Sequence, residues 1–182
     1  MTLKDLNISK SWTLFVDRDG VINKNRVGDY VKNYDEFEFI AGVKEAFVEL
    51  NNHFGRIIVV TNQQGIGKGL YTESDVEGIH LSMMLDIMLA GGHIDRIFFA
   101  PQLASENSEM RKPNIGMARL AKEEFPDIDF TKSLMIGDAI SDMQFGRTAG
   151  MKTVFVGAAS SPEEKKLIDF HSASLVTFAK EI

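Results

Sequence analysis

The chain contains no cysteine. That excludes disulfides, thiolate zinc sites and cysteine nucleophiles together. Only four prolines and one tryptophan occur among 182 residues, and no low-complexity tract, repeat or interdomain linker divides the chain. No apolar run approaches the ~20 residues of a membrane span. The polar stretch 1–12 lacks the apolar centre of a secretion signal. Basic residues are in deficit: 20 Lys plus Arg stand against 26 Asp plus Glu, a net charge of −6. Nucleic-acid-binding surfaces carry the opposite bias. The expectation is a cytoplasmic protein that engages neither membrane nor nucleic acid. Its length suits a single domain over residues 1–182, and 44% apolar residues are enough for a core.

Short apolar runs alternate with helical periodicity, the pattern of an α/β fold with a parallel sheet. Strands are expected at about 13–17, 57–61, 94–99, 133–136 and 152–156, with 175–178 as a sixth, edge strand. Val43, Ala46, Phe47 and Leu50 share one helical face, as do Val76, Ile79, Met83 and Ile87. Thr72 is placed to cap the second of these helices, and Gly91-Gly92 to end it. Pro113 stands at the front of a helix reaching Phe125, another helix runs from about 140 to Gly150, and Ser161-Pro162 starts a further one. Residues 20–41 show no helical period and carry Gly28, Tyr30, Tyr34, Phe37 and Phe39, which reads as a flap or hairpin.

Asp17-Arg18-Asp19-Gly20 ends the first strand. Two carboxylates so close raise each other's pKa unless a cation or fixed dipoles compensate, so such a pair points to metal binding or acid–base chemistry. Three more motifs sit at strand ends: Thr61-Asn62-Gln63-Gln64-Gly65, Arg111-Lys112-Pro113, and Gly137-Asp138 followed by Asp142. In open α/β sheets that edge is where ligands bind. Each motif also has a plain reading. Thr61 could cap a helix, Arg111 and Lys112 could be a solvated pair, and Asp138 and Asp142 suit a helix N-terminus. Four in succession on one edge favour a shared site. Gly65-Ile66-Gly67-Lys68-Gly69 is not a P-loop, because Asn62 occupies the position of the required upstream glycine. The four histidines show no metal spacing, and Met83, Met84 and Met88 read as helix packing.

Taken in order, the four motifs resemble those of the haloacid dehalogenase superfamily of phosphotransferases, over roughly residues 12–157. Three stretches are similar to the subgroup of histidinol-phosphate and heptose 1,7-bisphosphate phosphatases: 17–31 (DRDGVINKNRVGDYV), 61–69 (TNQQGIGKG) and 111–117 (RKPNIGM). The resemblance implies a Rossmann-like three-layer sandwich with five to six parallel strands and no large cap domain, the first strand lying between the second and fourth. It implies Asp17 as nucleophile and Asp19 as acid and base. It also implies Mg²⁺ held by Asp17, the Asp19 carbonyl and Asp138, with Asp142 orienting a metal-bound water. Thr61 and Lys112 would hold phosphoryl oxygens, and Asn62, Arg111, Asn23 and Arg26 are candidate substrate contacts, with Lys68 a further loop cation.

The chain departs from that pattern in the loop before Arg111. The subgroup's zinc ligands fall here on Ala100, Gln102, Ser108 and Met110, none a good ligand, so no zinc is expected. Ala139 stands where some relatives have lysine. The implied partner is a small phosphorylated metabolite in an open site, a heptose bisphosphate first, with the protein a monomer or small homo-oligomer. Histidinol phosphate, a polynucleotide 3′-phosphate and a non-catalytic binding module are the alternatives.

Overall fold

A strand buried on both faces carries apolar residues without alternation. Thr13–Val16 (β1) does so and is buried throughout. The computed structural model describes residues 2–157 and 161–182. In it β1 is flanked by Arg56–Asn62 (β2) and Ser133–Gly137 (β4), and Arg96–Ala100 (β3), Lys152–Val156 (β5) and Phe170–Ser172 (β6) extend the sheet. The order is β3-β2-β1-β4-β5-β6, all parallel. Successive β1 side chains point to opposite faces. Leu14 and Val16 join a core with Phe47 and Leu50 of Val43–His53 (α1), Ile79 and Met83 of Glu73–Leu89 (α2) and Phe178 of Leu175–Glu181 (α6). Phe15 joins the opposite core with Met117 and Ala121 of Gly116–Glu124 (α3) and Phe145 of Ile140–Ala149 (α4). This is the three-layer sandwich expected. Among the described residues no helix is long and apolar enough to cross a membrane.

Local chemistry sets the helix ends. Thr72 caps α2 by accepting from the Asp75 N–H, while the Asp75 carboxylate accepts from the Thr72 N–H. Ser161 and Glu164 form the same reciprocal pair at the short helix Pro162–Lys165 (α5). Gly150 ends α4 in the left-handed conformation.

Three expectations are corrected. The run 175–178 is not a strand but the start of α6: Ser174 caps it, and Leu175, Phe178 and Ala179 bury one helical face. The sixth strand is instead Phe170–Ser172. The helix expected from Pro113 begins at Gly116, and the third strand begins at Arg96. In the segment 20–41, the Lys24 N–H donates to Glu38 and the Ile40 N–H to Ile22, closing a short antiparallel ladder. Tyr34 stacks on Phe37, Phe37 meets Phe39 edge-on, and the Tyr34 hydroxyl donates to Asp86 on α2.

Candidate active site

The chain runs from β1 to β2 and β3 on one side and then crosses to β4 on the other, which makes the carboxyl end of β1 a topological switch point. Asp17 sits there, its N–H bonded to the Ile136 carbonyl of β4. The chain then curls sharply: the N–H groups of Val21, Ile22 and Asn23 all turn back to the Arg18 carbonyl. Gly20 permits this with φ of +84°, and a Cβ there would lie 1.9 Å from Asp138 Oδ2. Gly137 is equally constrained, because a Cβ would meet the Asp142 carboxylate at 2.3 Å. Glycine at position 20 lets the first motif close on the fourth, and glycine at 137 lets the Asp142 carboxylate lie against its own strand end.

Lys112 binds the site together. Its Nζ lies 2.8 Å from Asp17 Oδ1, 2.6 Å from Asp142 Oδ1 and 2.7 Å from the Val60 carbonyl. The side chain is buried, so the ion pairs are shielded from water. Asn62 holds the lysine backbone from both sides, its Nδ2 donating to the Lys112 carbonyl and its Oδ1 accepting from the Lys112 N–H. Asp142 does two things at once: Oδ1 faces Lys112, and Oδ2 accepts from the Ala139 N–H at the start of α4. Asp138 completes the cluster and accepts from Asn25 Nδ2 at 2.9 Å.

Asp17, Asp138 and Asp142 each offer an oxygen, and these lie within 4.8 Å of one another. Three carboxylates face one ammonium. Burial, then the Asp142 charge, push Asp17 up to about 7 against the pull of Lys112. Burial, then the Asp17 charge, push Asp138 up to about 6. Burial also raises Asp142, while Asp142 and Asp17 raise Lys112 against its own burial. The cluster is short of positive charge, and its donors are all hard oxygens. It fits Mg²⁺.

Asp19 faces a different set of partners. Arg18 Nη2 lies 3.0 Å from both its oxygens, Asn23 donates to Oδ1 at 2.9 Å, and Gln63 donates to Oδ2 at 2.8 Å. Burial alone would raise this carboxyl, but the Arg18 charge and these donors hold it below the usual range. Gln63 Nε2 also donates to Thr61 Oγ1, and its Oε1 accepts from the Tyr71 hydroxyl, which fixes the amide orientation.

The sequence-predicted residues thus divide. Asp17, Asp138, Asp142 and Lys112 converge, with Thr61 buried beside Gln63. Asn62 is spent on the Lys112 backbone. Asn23 corrects an expectation: it is fully buried and its amide donates to Asp19 and to the Lys24 carbonyl, so it supports Asp19 instead of reaching outward. Arg26 is exposed and contacts Asp29 and Glu36 within its own segment. Arg111 lines a hollow with Asn62, Ser108, Lys112 and Ser141, its Nη1 donating to the Gln102 carbonyl. Lys68 donates to the Tyr30 hydroxyl. The loop before Arg111 is held by the Asn114 amide, which donates to Ser108 and Asn107, and by the Gly116 N–H on Glu109. Sequence reading missed Asn25, Tyr71 and His80. Only His80 left a signal, as a histidine on the buried face of α2.

A family model described as polynucleotide kinase 3 phosphatase matches residues 13–182. The chain belongs to this phosphatase family of the haloacid dehalogenase superfamily. It is a phosphoric monoester hydrolase. It is 39% identical over 163 residues, 88% of each chain, to a D-glycero-alpha-D-manno-heptose-1,7-bisphosphate 7-phosphatase of Campylobacter jejuni. It is 36% identical over 181 residues to the beta-named counterpart of Yersinia pestis, covering 93% of this chain and 94% of that one. Among solved structures, the D,D-heptose 1,7-bisphosphate phosphatase of B. bronchiseptica, complexed with magnesium and phosphate, superposes with a TM-score of 0.81. That pair is 26% identical and covers 93% of this chain and 96% of that one.

Proposed function

We propose that this phosphatase hydrolyses a sugar phosphate, D-glycero-D-manno-heptose 1,7-bisphosphate, through an aspartyl phosphate on Asp17. The observation that carries the chemistry is the pairing of a buried acid, Asp17, with a half-buried one, Asp19, in opposite environments. Asp17 lies in an electron-rich cluster bridged by Lys112, and Asp19 lies in a separate cradle two residues on. The names of the relatives support the substrate. The same reading makes the enzyme cytoplasmic, a monomer or small homo-oligomer, and selective for a small metabolite over nucleic acid.

In the first step Asp17 attacks phosphorus in line and the phosphorus–oxygen bond to the sugar breaks. Asp19, ionised in its cradle, takes up the proton of the bound phosphate monoanion and passes it to the departing oxygen. In the second step Asp19 takes a proton from water as that water attacks the aspartyl phosphate, releasing inorganic phosphate and restoring Asp17. Thr61, Lys112 and Arg111 hold phosphoryl or substrate oxygens. Lys112 Nζ donates to Asp17 Oδ1 and the Val60 carbonyl and pairs with Asp142 by charge, which leaves one proton for a phosphoryl oxygen. Asp17, Asp138, Asp142 and the Asp19 carbonyl would hold Mg²⁺, which supplies charge neutralisation for the transferring group.

The test is phosphate release with Mg²⁺ over a panel: both anomers of heptose 1,7-bisphosphate, histidinol phosphate and a 3′-phosphorylated oligonucleotide. We expect kcat/KM for one heptose anomer to exceed the others by about a hundredfold, the discrimination that positioned polar contacts supply. A preference for histidinol phosphate or the oligonucleotide would overturn the substrate assignment.

A further inference from the structure

Arg18 is the largest fully buried side chain among the described residues. A guanidinium in a core must have its charge and its donors answered. Two groups do this. Nη2 spans the Asp19 carboxylate at 3.0 Å, and Nη1 lies 3.1 Å from Nε2 of His80 on α2. Nε has no hydrogen-bond partner, so the orientation of the guanidinium rests on these two Nη contacts.

Arginine has donors only. His80 Nε2 is therefore the acceptor, and the ring proton sits on Nδ1. Burial, then the Arg18 charge, push the ring down to about 3, which keeps it neutral. Phe99 of β3 packs against the ring near edge-on at 5.8 Å and fixes its plane. The other buried residues of α2, Val76, Ile79, Met83 and Ile87, offer no side-chain acceptor that could replace it.

We propose that His80 is a positioning residue for phosphate-ester hydrolysis: through Arg18 it fixes the direction in which the Asp19 carboxylate points. The proposal rests on Asp19 being the acid and base. Without the imidazole, Arg18 Nη1 is an unanswered donor in the core, and the guanidinium must turn to find an acceptor. The Asp19 carboxylate then loses the one donor that spans both its oxygens and resettles on Asn23 and Gln63 alone. A displacement of about 1 Å in a reacting group is enough to cost up to about a hundredfold in rate.

The experiment is a double-mutant cycle of His80→Leu and Asp19→Asn, read as single-turnover rates on the sugar phosphate. We expect His80→Leu to lower kcat by about tenfold or more with KM little changed, within the misplacement range. In the Asp19→Asn background the same substitution should change the rate by less than about twofold, because the two act as one unit. His80→Gln, which keeps an acceptor, should recover most of the loss. Equal losses in both backgrounds, or no recovery with Gln, would reject the role and leave His80 as packing. If His80→Leu does not fold, the wild-type protein still decides: ¹⁵N NMR at neutral pH should show a neutral ring protonated on Nδ1, and an Nε2-protonated or charged ring would overturn the proposal. Failure of the Asp19 reading would be seen separately, as an Asp19→Asn enzyme with near-normal turnover.

Discussion

Asp17 and Asp19 stand two residues apart in one turn, yet their surroundings drive them in opposite directions. Asp17 shares one lysine with Asp142 and lies beside Asp138, and it is raised to about 7. Asp19 has a guanidinium across both oxygens and two amide donors, and it is lowered. The first cluster has more negative charge than its own cation answers, so it is built to accept another cation. The second is electrostatically complete. Burial is common to both, so the number and placement of donors decide the direction.

The harshest way to break this contrast is Asp17→Asn, which removes the nucleophile and one of two carboxylates competing for Lys112. Turnover should fall about a thousandfold or more, as loss of a nucleophile does. Thermal stability in EDTA should not fall, since Lys112 keeps Asp142 and the Val60 carbonyl. A folded variant with near-wild-type activity would sink the covalent mechanism. Lys112→Met removes the cation instead. We expect a loss of about 100- to 1000-fold in kcat. Urea titration should show a loss of about 3–5 kcal/mol in stability, the usual result of stripping one partner from a buried ion pair. Unchanged stability would mean that the ion pairs are not formed in solution.

Asp19→Asn tests the second cradle more gently. Protonation matters for a sugar alkoxide and hardly at all for p-nitrophenolate. Single-turnover cleavage of the sugar phosphate should fall about a hundredfold. Cleavage of p-nitrophenyl phosphate should be little affected in its first step and show a burst as the aspartyl phosphate accumulates. Equal, small losses without a burst would leave Asp19 as a scaffold.

The smallest expected effect is on stability against pH. Between about pH 4 and 7 the folded metal-free chain keeps protons on Asp17 and Asp138 that the unfolded chain, with carboxylates near 3.8, has released. The contribution of these two groups therefore falls as pH rises through that window. A cation at the cluster competes with the same protons, so the gain in Tm from Mg²⁺ over EDTA should grow from pH 5 to pH 8. An increase of about 2–4 °C corresponds to roughly 1 kcal/mol for a chain of this size. The lowered pKa of His80 acts equally with and without Mg²⁺ and cancels in the difference. A gain independent of pH would show that the acidic cluster does not hold the ion.

Much of the first cluster was legible in the sequence because each member sits in a local motif at a strand end. Asp17, Lys112 and Asp138 announce themselves by their neighbours. The supports of Asp19 did not. Nothing in the local sequence marks Arg18 as buried, because its partner His80 lies 62 residues away. Asn23 reads as a loop amide until the turn folds it inward. The misread sixth strand has a similar cause. Four apolar-leaning residues at 175–178 do not separate a strand from a helix by period alone. The true strand, Phe170–Ser172, is too short and too polar to signal itself. Ser174 as cap and the spacing of Leu175, Phe178 and Ala179 were the available clues.

The position of β1 also dictates an order of assembly. Thr13 pairs with Arg56 on one side and with Ser133 on the other. During synthesis the nucleophile therefore emerges first and waits for Asp138 and Asp142, which arrive with the last third of the chain. Until then β1 presents an open apolar edge, the kind of surface that pairs with strangers. Chains arrested before residue 133 should bind holdase chaperones and release no phosphate, whereas chains extended through β5 should begin to do so. Phosphatase activity in the shorter chains would show that the site assembles without its fourth motif.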